Sequence, residues 1–76
     1  MKKYPRITVN SQKMGGEPCI RDLRMPVSTI LAMMAEGRNA DDILKEHPEL
    51  EREDINEVLS FASELIRFRE LPLAVQ

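Results

Sequence analysis

The fold of this 76-residue chain is decided by residues 50–69, which read LEREDINEVLSFASELIRFR. Apolar residues recur there at spacings of three and four, which is the period of an amphipathic helix. Leu50 and Ile55 are placed to form a hydrophobic staple around the first turn, where acidic residues also favour the positive end of the helix dipole. These signals predict one long helix from about Arg52 to Arg69.

The predicted helix carries two apolar stripes. The first has the pattern of a core-facing surface and consists of Ile55, Val58, Leu59, Ala62 and Ile66. The second runs beside it, so either the helix is central and buried on both sides, or the second stripe contacts another chain. Apolar residues also alternate in the tail, where Pro72 prevents the helix from continuing. We therefore predict a partner or dimer surface made of Phe61, Leu65, Phe68, Leu71, Leu73 and Val75.

The residues before this helix predict two shorter helices and a small β element. Ser28 is the expected N-cap of a helix that Gly37 ends, and Asn39 is the expected N-cap of the next one. β-branched residues and prolines indicate short extended pieces upstream, which pair either within one chain or across a dimer. The expected fold is mainly α with short N-terminal β-strands. It is a single domain with an extended segment over 1–27, a three-helix bundle of helix-turn-helix type over 28–69 and an apolar tail over 70–76.

The net charge of −2 conceals an asymmetry between the two halves of the chain. Residues 1–38 hold seven basic and three acidic side chains, whereas residues 39–76 hold four basic and ten acidic ones. The asymmetry is either uneven solvation of a small surface or a basic half that faces an anionic partner such as DNA. The first turn of the long helix is acidic and would be repelled by phosphate. The predicted DNA-binding residues therefore come from the first half, namely Lys13, Arg21 and Arg24.

The inventory of reactive side chains is small. Cys19 and His47 are the sole cysteine and histidine, which excludes an internal disulfide and a Cys/His zinc cluster. Cys19 has no general base nearby in the sequence and is interpreted as a small buried hydrophobe. We expect no enzymatic activity, cofactor, metal, small-molecule substrate or membrane span, and a cytoplasmic location. Because a chain this short has a thin core, we expect it to form a homodimer.

Two separated motifs carry a resemblance to a known family. The first is GEPCIRDLRMPV over residues 16–27, and the second combines Ile43-Leu44, His47-Pro48-Glu49-Leu50 and Glu53-Asp54-Ile55. This pattern resembles the domain of unknown function 433 family of small prokaryotic proteins, over residues 7–68. The chain departs from the family pattern at Glu17, Asp22 and Leu23, where the family usually has Lys, Gly and Thr.

The resemblance implies a homeodomain-like helix-turn-helix fold and a role in a type II toxin–antitoxin pair. Many members are encoded beside a PIN-like ribonuclease and are regarded as its antitoxins. Such antitoxins typically dimerise, bind their own operator DNA and block the toxin with a C-terminal segment. The expected function is therefore neutralisation of a PIN-like toxin with autorepression of the operon. The alternative is a dimeric protein-interaction module with no DNA-binding or antitoxin role.

Overall fold

A small antiparallel sheet precedes three helices, as the sequence predicts. The computed structural model describes residues 3–12 and 14–68. The strands are β1 (Ile7–Thr8), β2 (Cys19–Ile20) and β3 (Met25–Pro26), in the order β1-β2-β3. The helices are α1 (Val27–Ala35), α2 (Ala40–Glu46) and α3 (Arg52–Arg67).

The three strands pair within one chain, which answers the question that the sequence left open. Ile7 lies opposite Ile20, and Ile20 lies opposite Met25. Because side chains alternate along a strand, these residues share the face that packs against the helices. Thr8 and Cys19 lie on the other face of the sheet.

The core lies between the inner face of the sheet and the three helices. Each helix buries one apolar side, as expected for amphipathic helices around a common core. Leu50 and Ile55 are both buried, which confirms the predicted staple at the start of α3. The buried core residues are Tyr4, Ile7, Ile20, Val27, Ile30, Met33, Ile43, Leu50, Ile55, Val58 and Phe61.

The N-cap prediction is right for α2 and wrong for α1. Asn39 Oδ1 accepts a hydrogen bond from the Asp42 amide at 2.9 Å, and the Asp42 carboxylate accepts one from the Asn39 amide at 3.2 Å. Ser28 lies inside α1 instead, and its hydroxyl donates to Glu17 Oε1 at 3.1 Å. The extended residue before α1 is Pro26, whose ring fixes φ near the observed −64° and leads directly into the helix.

Two helix ends follow from local geometry. Gly37, just beyond α1, has φ of 97°, a left-handed conformation that glycine adopts without a steric penalty. α3 ends at Arg67 with Phe68 as its C-cap, slightly before the predicted end at Arg69, which lies outside the described residues. Within residues 3–12 and 14–68, no helix has the length and apolarity needed to cross a bilayer.

Candidate protein-binding surface

α3 extends beyond the part of the bundle that covers it. Its buried residues are Asp54, Ile55, Val58 and Phe61, and no later described residue of the helix is buried. Leu65 continues the line of Val58 by two turns, yet 44% of its surface is exposed. The last turns of α3 therefore carry the apolar face of a core helix, which the described chain covers only in part.

Four apolar side chains are exposed on this part of α3 and at its C-cap. Ile66 is 60% exposed and Phe68 is 77% exposed, and Leu59 is also among the exposed large hydrophobic residues. We call Leu59, Leu65, Ile66 and Phe68 the apolar end of α3. Scattered single hydrophobic residues are normal on a protein surface, but several that share one helix end indicate a contact surface.

The structure corrects the assignment of the two predicted stripes. Phe61 is predicted on the partner surface, but it is only 6% exposed and its ring packs edge-on against Tyr4, with centroids 5.3 Å apart. Leu59 and Ile66 are predicted in the core and are exposed. The cause is the position of Tyr4, which the N-terminal segment lays along α3 on the Phe61 side. A helical period alone does not show from which side the N-terminal segment approaches.

The other predicted partner residues divide into two groups. Leu65 and Phe68 are exposed, so both are available to a partner. Leu71, Leu73 and Val75 lie outside the described residues and stay predictions. Leu59 and Ile66 were not predicted on the partner surface. The signal that could have identified them is the length of the helix, which is greater than its two helical neighbours can cover.

A buried charge cluster fixes the other end of α3. The Asp54 side chain is fully buried, and its Oδ2 accepts hydrogen bonds from Arg21 Nη2 and from the Glu51 amide, both at 2.8 Å. Its Oδ1 accepts from Arg6 Nη1 at 3.0 Å and from Arg21 Nε at 3.2 Å. We call Arg6, Arg21 and Asp54 the charge hub. The hub ties the N-terminal segment and the turn after β2 to the first turn of α3.

The hub keeps Asp54 ionised despite its burial. Burial alone would raise the pKa of this carboxyl, because a charge is costly in a medium of low polarity. Hydrogen bonds from Arg21, from the Glu51 amide and from Arg6 outweigh that effect and hold the pKa of Asp54 below its ordinary value. The carboxylate is therefore a permanent anion at neutral pH, and it binds the two guanidinium groups.

Most of the described basic residues in the first half of the chain form ion pairs within the fold. Of the five basic residues described in the first half, four form ion pairs with carboxylates of the second half: Lys3 with Glu64, Arg6 with Glu51 and Asp54, Arg21 with Asp54, and Arg38 with Glu46. Three of these residues pair with the start or the later turns of α3, and Arg38 pairs with the end of α2, so the two halves partly neutralise each other within the fold. The interpretation of the basic half as a free cationic surface is wrong for these four residues.

The three predicted DNA-binding residues have different outcomes. Arg21 is engaged by Asp54 and by the backbone carbonyl of Glu49, at 3.0 Å, so its guanidinium serves the fold. Arg24 is exposed and forms no ion pair with the described residues. Lys13 lies outside the described residues. Among the described basic residues of the first half, Arg24 is thus the one that forms no ion pair with another described residue.

Cys19 and His47 are the remaining side chains with potential for acid–base or nucleophilic chemistry. Cys19 is buried on the outer face of the sheet, and burial raises the pKa of its thiol, so the group is protonated at neutral pH. His47 is the C-cap of α2, as expected of a residue at a helix end. Among the residues that the structure describes, no group of three His, Cys, Asp or Glu side chains is arranged to hold a metal ion.

Comparison with known proteins gives one match. A family model described as "Protein of unknown function (DUF433)" matches residues 7–62, about three quarters of the chain. The match begins at β1 and ends inside α3, so it includes the charge hub except for Arg6 and excludes Leu65, Ile66 and Phe68. No curated protein and no solved structure matches the chain.

Proposed function

The chain belongs to the DUF433 family of proteins of unknown function, and from that premise we propose that it is an antitoxin. It binds a PIN-like nuclease directly through the apolar end of α3 and thereby blocks it, without catalysing a reaction itself. The observation that carries the proposal is the exposure of Leu65, Ile66 and Phe68 at one end of a helix whose other end is fixed in the fold. These three residues lie outside the part that matches the family model, as suits a surface adapted to one particular partner.

The arrangement suits an inhibitory contact. An amphipathic helix that lays an apolar face into a groove is a recurring mode of protein recognition. The charge hub and the Tyr4–Phe61 contact hold α3 in place, so its exposed end is presented with little loss of conformational freedom on binding. The tail over residues 70–76, which the sequence predicts to be apolar and non-helical, supplies further contacts in this proposal.

We do not propose that the chain binds operator DNA, because most of its described cations are already paired. Affinity for DNA is dominated by cations that neutralise phosphates, and each ion pair already made within the protein competes with such a contact. Four of the five basic residues described in the first half are engaged in this way. The acidic first turn of α3 disfavours phosphate as well. The proposed function therefore rests on protein–protein contact.

The test is binding to a PIN-like nuclease encoded beside this chain. We expect Phe68→Asp to weaken binding about 30-fold or more, because truncating an interface anchor typically costs 2 kcal/mol or more. Asn56→Asp is the matched control, since it adds the same charge to an exposed residue of the same helix, more than three turns before Phe68. Affinity is measured by calorimetry, and far-UV circular dichroism verifies that both variants are folded.

Two results would contradict the proposal. One is a folded Phe68→Asp protein that binds and inhibits the nuclease as tightly as the unaltered chain. The other is an unaltered chain that neither binds nor inhibits the nuclease. In the second case the alternative, an interaction module that associates only with itself, would be the better description.

A further inference from the structure

A cavity of about 170 Å³ opens on the outer face of the sheet. Its apolar walls come from Val9, Met14 and Cys19, and Glu17, Asp22 and Arg24 also line it. Thr8 and Cys19 are the sheet residues that point to this side, away from the core. Val9 and Met14 are both exposed, so the cavity is continuous with a second apolar patch, separate from the apolar end of α3.

The backbone around this cavity is strained. Three residues other than glycine have a positive φ in the described chain: Met14 at 52°, Arg21 at 45° and Arg24 at 56°. All three line the cavity. Side chains rarely adopt this left-handed conformation, and such strain is concentrated at sites that bind something. The coincidence points to the cavity as a binding site.

The size of the cavity suits an aromatic ring. An apolar cavity of about 150 Å³ inside a protein holds a benzene molecule, which is the size of a phenylalanine ring. Phe68 is the most exposed of the exposed large hydrophobic residues in the described chain. Its ring is therefore a candidate occupant, because it has the right size and because burying its exposed apolar surface is favourable.

Phe68 is too far from the cavity of its own chain to fill it. Arg21, in the cavity wall, is bonded to Asp54 in the first turn of α3. Phe68 lies 14 residues further along the helix, which corresponds to about 21 Å at a rise of 1.5 Å per residue. The ring that enters must belong to another molecule.

Charge complementarity favours a second copy of this chain. Arg67 precedes Phe68, is exposed and forms no ion pair with the described residues. Asp22 at the cavity likewise forms none with them. Glu17 also lines the cavity, and among the described residues its carboxylate accepts a hydrogen bond from the Ser28 hydroxyl and forms no ion pair. Arg24 also lines the cavity, so Glu17, Asp22 and Arg24 together carry a charge of −1 there, with Arg21 already neutralised by Asp54. A second copy whose Phe68 enters the cavity brings the single positive charge of Arg67 to this site.

We infer that the chain associates head to tail, with Phe68 of one copy inserted into the outer-sheet cavity of the next. Such a contact is heterologous, because it joins two different surfaces and leaves one of each free at the ends. This self-association goes beyond the proposed function and would regulate it, by competing with nuclease binding. Self-association and nuclease binding both use Phe68, so they exclude each other.

The test uses the chain alone, by sedimentation velocity over a dilution series. The unaltered chain is expected to form dimers and larger species as its concentration rises. Phe68→Ser removes the inserted ring, and Met14→Asp places a charge at the cavity with a residue type that tolerates positive φ. Each variant alone should be monomeric. An equimolar mixture should form one-to-one dimers and nothing larger, because one intact contact is restored.

Several outcomes would overturn the inference. They are an unaltered chain that stays monomeric throughout, a mixture that stays monomeric, and a Met14→Asp variant that still associates, as a symmetric contact between two α3 ends would allow. Val9→Asp is a second variant at the cavity, should Met14→Asp fail to fold. Met14→Asp should still bind and inhibit the nuclease, at least as tightly as the unaltered chain, because the competing self-association is removed. Failure of this inference is therefore distinguishable from failure of the proposed function.

Discussion

Replacing Asp54 with asparagine is expected to remove most of the protein's stability. The substitution removes a fully buried anion, leaves Arg21 with no carboxylate partner among the described residues, and leaves Arg6 paired with Glu51 alone. Removing one partner from a buried ion pair costs about 3–5 kcal/mol. A small domain has a total stability of about 5–15 kcal/mol, and a chain of this length belongs near the lower limit. Urea unfolding followed by far-UV circular dichroism measures the loss.

Glu53→Gln is the matched control for this prediction. Glu53 is the neighbouring carboxylate in the same turn of α3, but it is exposed. Its substitution is expected to change the free energy of unfolding by about 0.5 kcal/mol or less. If Asp54→Asn unfolded at the same urea concentration as Glu53→Gln, the charge hub would not stabilise the fold.

The same carboxylate predicts how stability responds to acid. The pKa of Asp54 is held below its ordinary value of 3.8 in the folded protein, so the unfolded state binds the proton more readily. Its contribution to stability is present above about pH 4 and is lost as the pH falls through the lower folded pKa. The unaltered protein should therefore lose stability below about pH 4, with a steeper slope than Asp54→Asn. Equal slopes would contradict this.

The second large effect distinguishes two phenylalanines on one helix. Phe61→Ala is expected to destabilise the protein by about 3–5 kcal/mol, because it leaves a cavity beside Tyr4 in the core. Phe68→Ala, seven residues later, is expected to change stability by about 0.5 kcal/mol or less, because this ring is exposed. Thermal unfolding of the two variants under the same conditions provides the measurement.

Comparing these two variants also separates two reasons for a loss of partner binding. A variant at Phe61 would lose a partner because it unfolds, whereas a folded variant at Phe68 would lose it through the contact itself. Equal stability of Phe61→Ala and the unaltered chain would show that Phe61 is not a core residue. The sequence alone had placed both phenylalanines on one partner surface.

Local signals made the helices and strands predictable. The Asn39 cap, the staple of Leu50 and Ile55, and the paired Ile7 and Ile20 each depend on residues whose pattern is visible in a short window. Ser28 lies inside α1 because the N-cap is Pro26, two residues before the predicted cap, and its ring fixes the backbone for the start of the helix. In these elements the local preference and the global fold agree.

The candidate site was less predictable because it depends on contacts between distant residues. Tyr4 packs against Phe61 and buries it, whereas Leu59 and Ile66 stay exposed, although all three fit an apolar pattern with helical spacing. Arg21 looked like a free cation, since its partner Asp54 is 33 residues away. The charge asymmetry was visible in the sequence, but the ion pairs that join four of these basic residues to carboxylates of the other half were not.

The charge hub also constrains the order in which the protein can fold during synthesis. Arg6 and Arg21 meet Asp54 across 48 and 33 residues, and Tyr4 meets Glu64 across 60. The sheet residues are made first, yet their counter-charges and the core helix that covers Ile7 and Ile20 are made last. Contacts of such sequence separation form slowly, after the intervening chain is closed into a loop. The nascent N-terminal half therefore has no stable fold of its own, and folding is completed only when nearly all of α3 has left the ribosome.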